Sequence, residues 1–290
     1  MTFSRPTESL ERLPEPQEQP LPTMYDLPSE DPEEPGLPDE FHALQPQLLS
    51  ATLSLPNQAP ESYFTGMDLN LYYDPHHTQW YKRPDWFLAL GAGRLYRGRE
   101  LRESYVVWDE PANPFLVVEL LSPGTEAEDL GERFPRPGRP PGKWQVYEQI
   151  LQIPYYFVFD RYRNSQGLRG FKWESGGYEA VAIAQQRYWV EELALGLGVW
   201  EGTYQGIDHR WLRWYTAAGD WLPTPAERAE QEHQRAEQER QRAEQERQRA
   251  EQECQRAEQE RQRAEQECQR AERLAARLRA LGIDPEDEVL

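Results

Sequence analysis

Glu119 stands inside Val117-Val118-Glu119-Leu120-Leu121, a run that otherwise has the composition of a buried strand. An ionised carboxylate in such a place is costly unless it is paired, hydrogen-bonded or bound to a metal. Asp85 has a similar context. It follows Arg83-Pro84 and heads the apolar run Trp86-Phe87-Leu88-Ala89-Leu90. Two carboxylates on adjacent strands are what a hard divalent cation such as Mg²⁺ requires, because it takes oxygen ligands and keeps waters and a substrate phosphate. A plainer reading fits the same residues: Asp85 caps a turn after Pro84, and Glu119 faces an edge and pairs with an arginine. Strand context alone leaves both open.

The elements that would position these groups follow from periodicity. Pro38-Asp39-Glu40-Phe41-His42 with Leu44, Leu48, Leu49 and Leu53 predicts a helix over 39–53, with acids in its first turn. Strands are predicted over 81–90, 102–108, 115–121 and 155–160. A helix over 142–152 would carry Trp144, Tyr147, Ile150 and Leu151 on one face. Residues 170–181 read as a hairpin turning at Gly176-Gly177, and further short strands over 188–222 end in a hairpin around Gly219. Strands with a crossover helix predict an α/β (α+β) fold, a mixed sheet flanked by helices. His76 and His77 are adjacent and point to opposite faces of an extended segment, so they read as loop residues and not a zinc site.

The order of these groups carries a resemblance. Arg83-Pro84-Asp85, then Val117-Val118-Glu119-Leu120-Leu121-Ser122-Pro123, Thr125 with Asp129, Lys143 with Tyr147, and Tyr155-Tyr156-Phe157-Val158-Phe159-Asp160 resemble the PD-(D/E)XK nuclease superfamily. More closely they resemble the Uma-type restriction endonuclease family of bacteria, over about residues 24–225. The resemblance implies a restriction-endonuclease-like core. It also implies a DNA endonuclease in which Asp85, Glu119 and the backbone carbonyl of Leu120 hold Mg²⁺, with Mn²⁺ as a substitute. The superfamily's lysine two residues after the glutamate is Leu121 here, and Lys143 is the implied replacement. Gln145 and Tyr147 are expected to contact substrate, although helix surface and core explain them equally. Arg136 and Arg139, in the insertion Arg133-Phe134-Pro135-Arg136-Pro137-Gly138-Arg139, are expected to meet a DNA backbone, and a solvated loop is the plainer account. The alternative to an endonuclease is a catalytically inactive nuclease-fold module that oligomerises or docks through its C-terminal helix.

That helix is the plainest feature of the sequence. From Pro225 a heptad repeats with alanine at 229, 236, 243, 250, 257, 264 and 271, and four residues after each come His233, Arg240, Arg247, Cys254, Arg261, Cys268 and Ala275. Glu and Arg are interleaved to allow i,i+4 pairs, and a continuous helix of about 55 residues would be roughly 80 Å long. The period allows a coiled coil, hence a homo-dimer or a protein partner through 225–282. The Ala/Arg/His/Cys seam fits a solvated single helix equally well. The domain reading is a Pro-rich leader over 1–38, a folded domain over 39–224, the helix over 225–282 and an acidic tail over 283–290.

The net charge of −19 argues against a globally basic nucleic-acid binder. Yet residues 1–42 carry −9 and residues 226–290 carry −5, leaving −5 on the middle, which holds all 10 tryptophans. No apolar run approaches the length of a membrane span, the first residues lack the pattern of a signal peptide, and both cysteines lie in the charged repeat. A cytoplasmic setting with no membrane contact is expected.

Overall fold

The apolar runs around Asp85 and Glu119 become neighbouring strands of a six-stranded sheet. The computed structural model describes residues 39–122, 126–132, 138–163 and 166–281. The leader expected over 1–38 and the tail over 283–290 lie outside the described residues. The described residues form two compact units divided between Leu222 and Pro223.

In the first unit the main sheet contains β1 (Tyr63–Met67), β4 (Trp86–Leu90), β6 (Leu116–Leu120), β7 (Tyr155–Phe159), β8 (Leu168–Glu174) and β9 (Gly177–Ala180), in that order. Within this sheet β6 and β7 pair in parallel and the other pairs are antiparallel. A small sheet joins β2 (Leu71–Tyr72), β3 (Tyr81–Lys82) and β5 (Tyr105–Val106), and a third joins β10 (Arg187–Val190), β11 (Leu195–Tyr204) and β12 (Ile207–Tyr215). The fold is α+β with mixed sheets. The strand predicted over 81–90 is therefore two strands in different sheets. Pro84, which has no amide hydrogen to give a ladder, lies in the break. The strand predicted over 102–108 narrows to β5. The short strands predicted over 188–222 are largely one long hairpin, β11 and β12, turning at Gln205-Gly206.

Both faces of the central strands are covered. Side chains alternate across a strand, so Trp86, Leu88, Leu116, Val118, Leu120, Tyr155, Phe157 and Phe159 face one core with Phe41, Leu48, Leu49 and the β11–β12 hairpin. Phe87, Ala89, Val117, Tyr156 and Val158 face the other, with Val146, Tyr147 and Leu151. The first core is closed by α1 (Glu40–Thr52), whose Asp39 caps the N-terminus by accepting from His42 N–H. Gln45, fully buried, locks α1 to β12 by bonding both backbone groups of Leu212, at 2.9 and 2.7 Å. Glu119 has the parity of Val117 and so points into the second core.

That second core is closed by α2 (Glu126–Asp129) and by α3 (Lys143–Gln145), which runs directly into a π turn over Val146–Ile150. The regular helix predicted over 142–152 is thus corrected. Leu151 N–H reaches back five residues to the Val146 carbonyl at 2.9 Å. The wider turn carries Ile150 out to 44 % exposure, while Tyr147 and Leu151 stay buried.

The second unit is one helix, α4 (Pro225–Ala280), opened by a capping box between Thr224 and Glu227. No residue along it is buried, Cys254 and Cys268 included. No described helix is long and apolar enough to cross a membrane.

Candidate active site

The antiparallel register of β4 and β6 pairs Trp86 with Val118, which sets Asp85 opposite Glu119. Backbone and side chain interlock there. Asp85 N–H donates to Glu119 Oε2 at 3.3 Å, and Leu120 N–H donates to Asp85 Oδ2 at 2.6 Å. Glu119 is fully buried. Lys143 and Tyr147, four residues apart and so on one face of their turn, both reach it. Lys143 Nζ lies 2.9 Å from Oε2, and Tyr147 hydroxyl donates to Oε1 at 2.8 Å. The same ammonium lies 3.1 Å from Asp129 Oδ1 on α2. Five residues from separate parts of the chain therefore share one cluster.

The charge balance of the cluster is uneven. Three carboxylates, Asp85, Glu119 and Asp129, surround one ammonium. Burial pushes Glu119 well above the usual carboxylate range, and although Lys143 opposes this, Asp85 and Asp129 add to it. Burial alone would favour a neutral Lys143, yet Asp129, Glu119 and Asp85 hold its proton on well above the ordinary lysine value. The tyrosines beneath, Tyr147 and Tyr156, are held neutral by burial and by the adjacent acids. Glu128 pins the approach by accepting from Lys82 Nζ at 2.9 Å and from Lys143 N–H at 3.2 Å.

The fold gathers Asp85, Glu119 and Lys143, the three residues expected to act together. The Leu120 carbonyl adjoins them. Leu121, at the superfamily's lysine position, is an apolar member of the second core, so the cation comes from α3. Tyr147, for which substrate contact and core were equally open, has no exposed surface and donates to Glu119. Gln145 is half-buried, with Oε1 unpartnered among the described residues, and lines a cavity of about 260 Å³ with Glu128, Trp144 and Glu148. Arg139 is exposed and Arg136 lies outside the described residues.

His42 was not singled out by the sequence. Its Nε2 lies 3.0 Å from the Leu120 carbonyl and its Nδ1 lies 2.8 Å from Asp39 Oδ1, while Asp39 also holds Arg161 at 2.7 Å. A carbonyl and a carboxylate only accept, so both ring nitrogens donate, which needs the imidazolium. Burial opposes that charge, but the bond to Asp39 and the charges of Asp85 and Asp39 outweigh it and raise the His42 pKa above its ordinary 6.5. Burial likewise opposes ionisation of Asp39, but His42 and Arg161 lower its pKa below the ordinary 3.8. The pair's stabilisation is then fully present below the ordinary histidine pKa and is lost as pH rises through the elevated one. On the acid side it is lost as pH falls through the lowered pKa of Asp39. The melting-temperature deficit of His42→Gln should shrink as pH rises above the ordinary histidine value of 6.5 and through the elevated one; a deficit that does not change as pH is raised would contradict this protonation state.

Whether these residues suit a metal is a question of donor chemistry. The carboxylates and the Leu120 carbonyl are hard oxygen donors, and their two unbalanced negative charges match a divalent cation. Among the described residues no three His, Cys, Asp or Glu side chains converge as a ready-made ligand set. A cation here would rely on Asp85, Glu119 and the carbonyl, together with water and substrate oxygens. The residues fit such an ion.

No curated protein matches the chain. Residues 7–208 match the Uma2 family, whose description reads "Putative restriction endonuclease". That span holds Asp85, Glu119, Asp129, Lys143 and Tyr147 together with the whole six-stranded sheet, and the chain belongs to this family.

Proposed function

We propose that the protein is a divalent-metal-dependent endonuclease that hydrolyses phosphodiester bonds in DNA. The observation that carries this reading is the placement of Lys143 Nζ on Glu119, with Asp85 paired across from Glu119 on the next strand. Asp85, Glu119 and the Leu120 carbonyl would hold Mg²⁺ or Mn²⁺. When bound, the ion would polarise the phosphodiester and ease formation of hydroxide from water. Lys143, charged at neutral pH, orients the attacking water and offsets negative charge developing on the phosphate; it is not a base. Asp129 aims Lys143, Tyr147 fixes the Glu119 carboxylate, and His42 holds the Leu120 carbonyl in place. The acidity of the whole chain does not oppose DNA binding, because most of it belongs to residues 1–42 and 226–290.

The test is incubation of the purified protein with supercoiled plasmid in Mg²⁺, in Mn²⁺ and in EDTA. Nicked or linear product with either ion and none in EDTA is expected. Intact plasmid under both ions, with no heat of metal binding in calorimetry, would remove the nuclease reading.

A further inference from the structure

A row of paired residues crosses the sheet from the catalytic cluster. Glu119 on β6 pairs with Val158 on β7, and Val158 pairs with Arg169 on β8. Paired residues point to one face, and strands lie about 4.8 Å apart, which sets Arg169 on the face of Glu119 at a separation of about 10 Å. Val158, between them, is buried and apolar.

The fork of Arg169 is unfilled among the described residues. Its Nε and Nη2 are buried and have no hydrogen-bond partner among the described residues. The acid nearest to it, Glu126, lies 3.9 Å from Nη2 and already accepts from Arg163 at 3.3 Å. Arg163 also pairs with Asp160 at 3.0 Å, so it is the better neutralised of the two. Elsewhere in the fold the same edge of a guanidinium is filled: Arg102 Nε and Nη2 grip the two oxygens of Glu110 at 2.7 and 2.8 Å. Buried donors without acceptors are costly, and two parallel N–H groups match two oxygens of one carboxylate or phosphate. Arg169 and Arg163 line a cavity of about 670 Å³ together with Gln166, Leu168, Phe171 and Ile183.

We propose that Arg169 binds a backbone phosphate of the same nucleic-acid strand whose scissile phosphate lies at Glu119. The inference rests on the nuclease reading, which brings a polyanion to the Glu119 cluster, and adds a second contact that fixes the strand's direction relative to the sheet.

The test is fluorescence anisotropy of a labelled DNA duplex against wild type, Arg169→Gln and Arg169→Lys, in EDTA and across a salt series. Circular dichroism confirms that each variant is folded. Arg169→Gln should weaken binding and reduce the slope of log K against log salt by about 1. Arg169→Lys should restore the slope without the full affinity, since it keeps the charge and loses the fork. Cleavage that depends on Glu119, together with affinity and slope unchanged in Arg169→Gln, would overturn the phosphate site and leave the nuclease standing. Arg169-dependent binding without metal-dependent cleavage would do the reverse. Protection against thermal unfolding by inorganic phosphate that depends on Arg169, with DNA binding indifferent to it, would make this a free-anion site and overturn the backbone contact.

Discussion

Glu119→Gln is expected to lower metal-dependent cleavage by about a thousandfold, while the metal-free protein melts at the same temperature or higher. A metal ligand is asked to supply several kcal/mol of transition-state stabilisation, and each 1.36 kcal/mol is tenfold in rate. The glutamine fits the cavity. Its carbonyl can accept from Lys143 and Asp85 N–H, and its amide can donate to the Tyr147 hydroxyl, which accepts as well as donates. The exchange removes a charge that the fold penalises, because burial and the neighbouring Asp85 and Asp129 oppose ionisation of Glu119 while Lys143 favours it. The sign of the pH dependence follows. A carboxyl whose pKa is raised on folding contributes stability that is present below its unfolded value of about 4.5 and lost as pH rises through the folded one. Wild type should therefore lose stability over a range of rising pH in which Glu119→Gln does not. Cleavage by the variant within tenfold of wild type would refute the assignment of Glu119 as a ligand.

How much of this site was legible depended on where each partner lies in the chain. Glu119 is visible because a carboxylate in an apolar run violates the cost of burial. Asp85 is visible because its strand begins beside a proline. Their pairing follows once β4 and β6 are neighbours, which composition suggests but cannot register. Lys143 was reachable only through resemblance, since a Pro- and Arg-rich stretch with no periodicity separates it from Glu119. Tyr147 shares a predicted helix face with Trp144 and Leu151, and that pattern leaves core and substrate contact equally open, because the partner that decides it, Glu119, lies 28 residues away. His42 carries no local signal at all: its acceptor is a carbonyl 78 residues away.

The fold shows the same division. The central strands were readable because apolar residues cover both of their faces. The long β11–β12 hairpin was fragmented because Gly196, Gly198 and Gly202 look like breaks. In the structure an aromatic ring lies over Gly196, where a Cβ would come within 1.9 Å of the Tyr215 ring. That glycine makes room for packing and does not end the strand.

Lys143→Met should have the other large effect, and it should separate a catalytic centre from an ion pair built only for stability. Lys143 Nζ is the cation shared by Glu119 and Asp129, and only 17 % of its side chain is exposed. Removing it leaves buried carboxylates uncompensated, a change that costs about 3–5 kcal/mol in comparable buried pairs. The deficit should shrink as pH falls, because the carboxyls can then fold protonated. Mg²⁺ should offset it as well. A ligand at a hundred times its dissociation constant stabilises the folded state by about 2.7 kcal/mol, and the variant offers the ion more unbalanced negative charge than wild type does. The rise in melting temperature on adding Mg²⁺ should therefore be larger in Lys143→Met than in wild type. Cleavage should nevertheless fall by about a hundredfold or more, since charge stabilisation at the phosphate is lost. Loss of stability with no Mg²⁺ response in either protein would mean that the cluster is a structural ion pair. A variant that binds Mg²⁺ and cleaves like wild type would mean that another group supplies the positive charge.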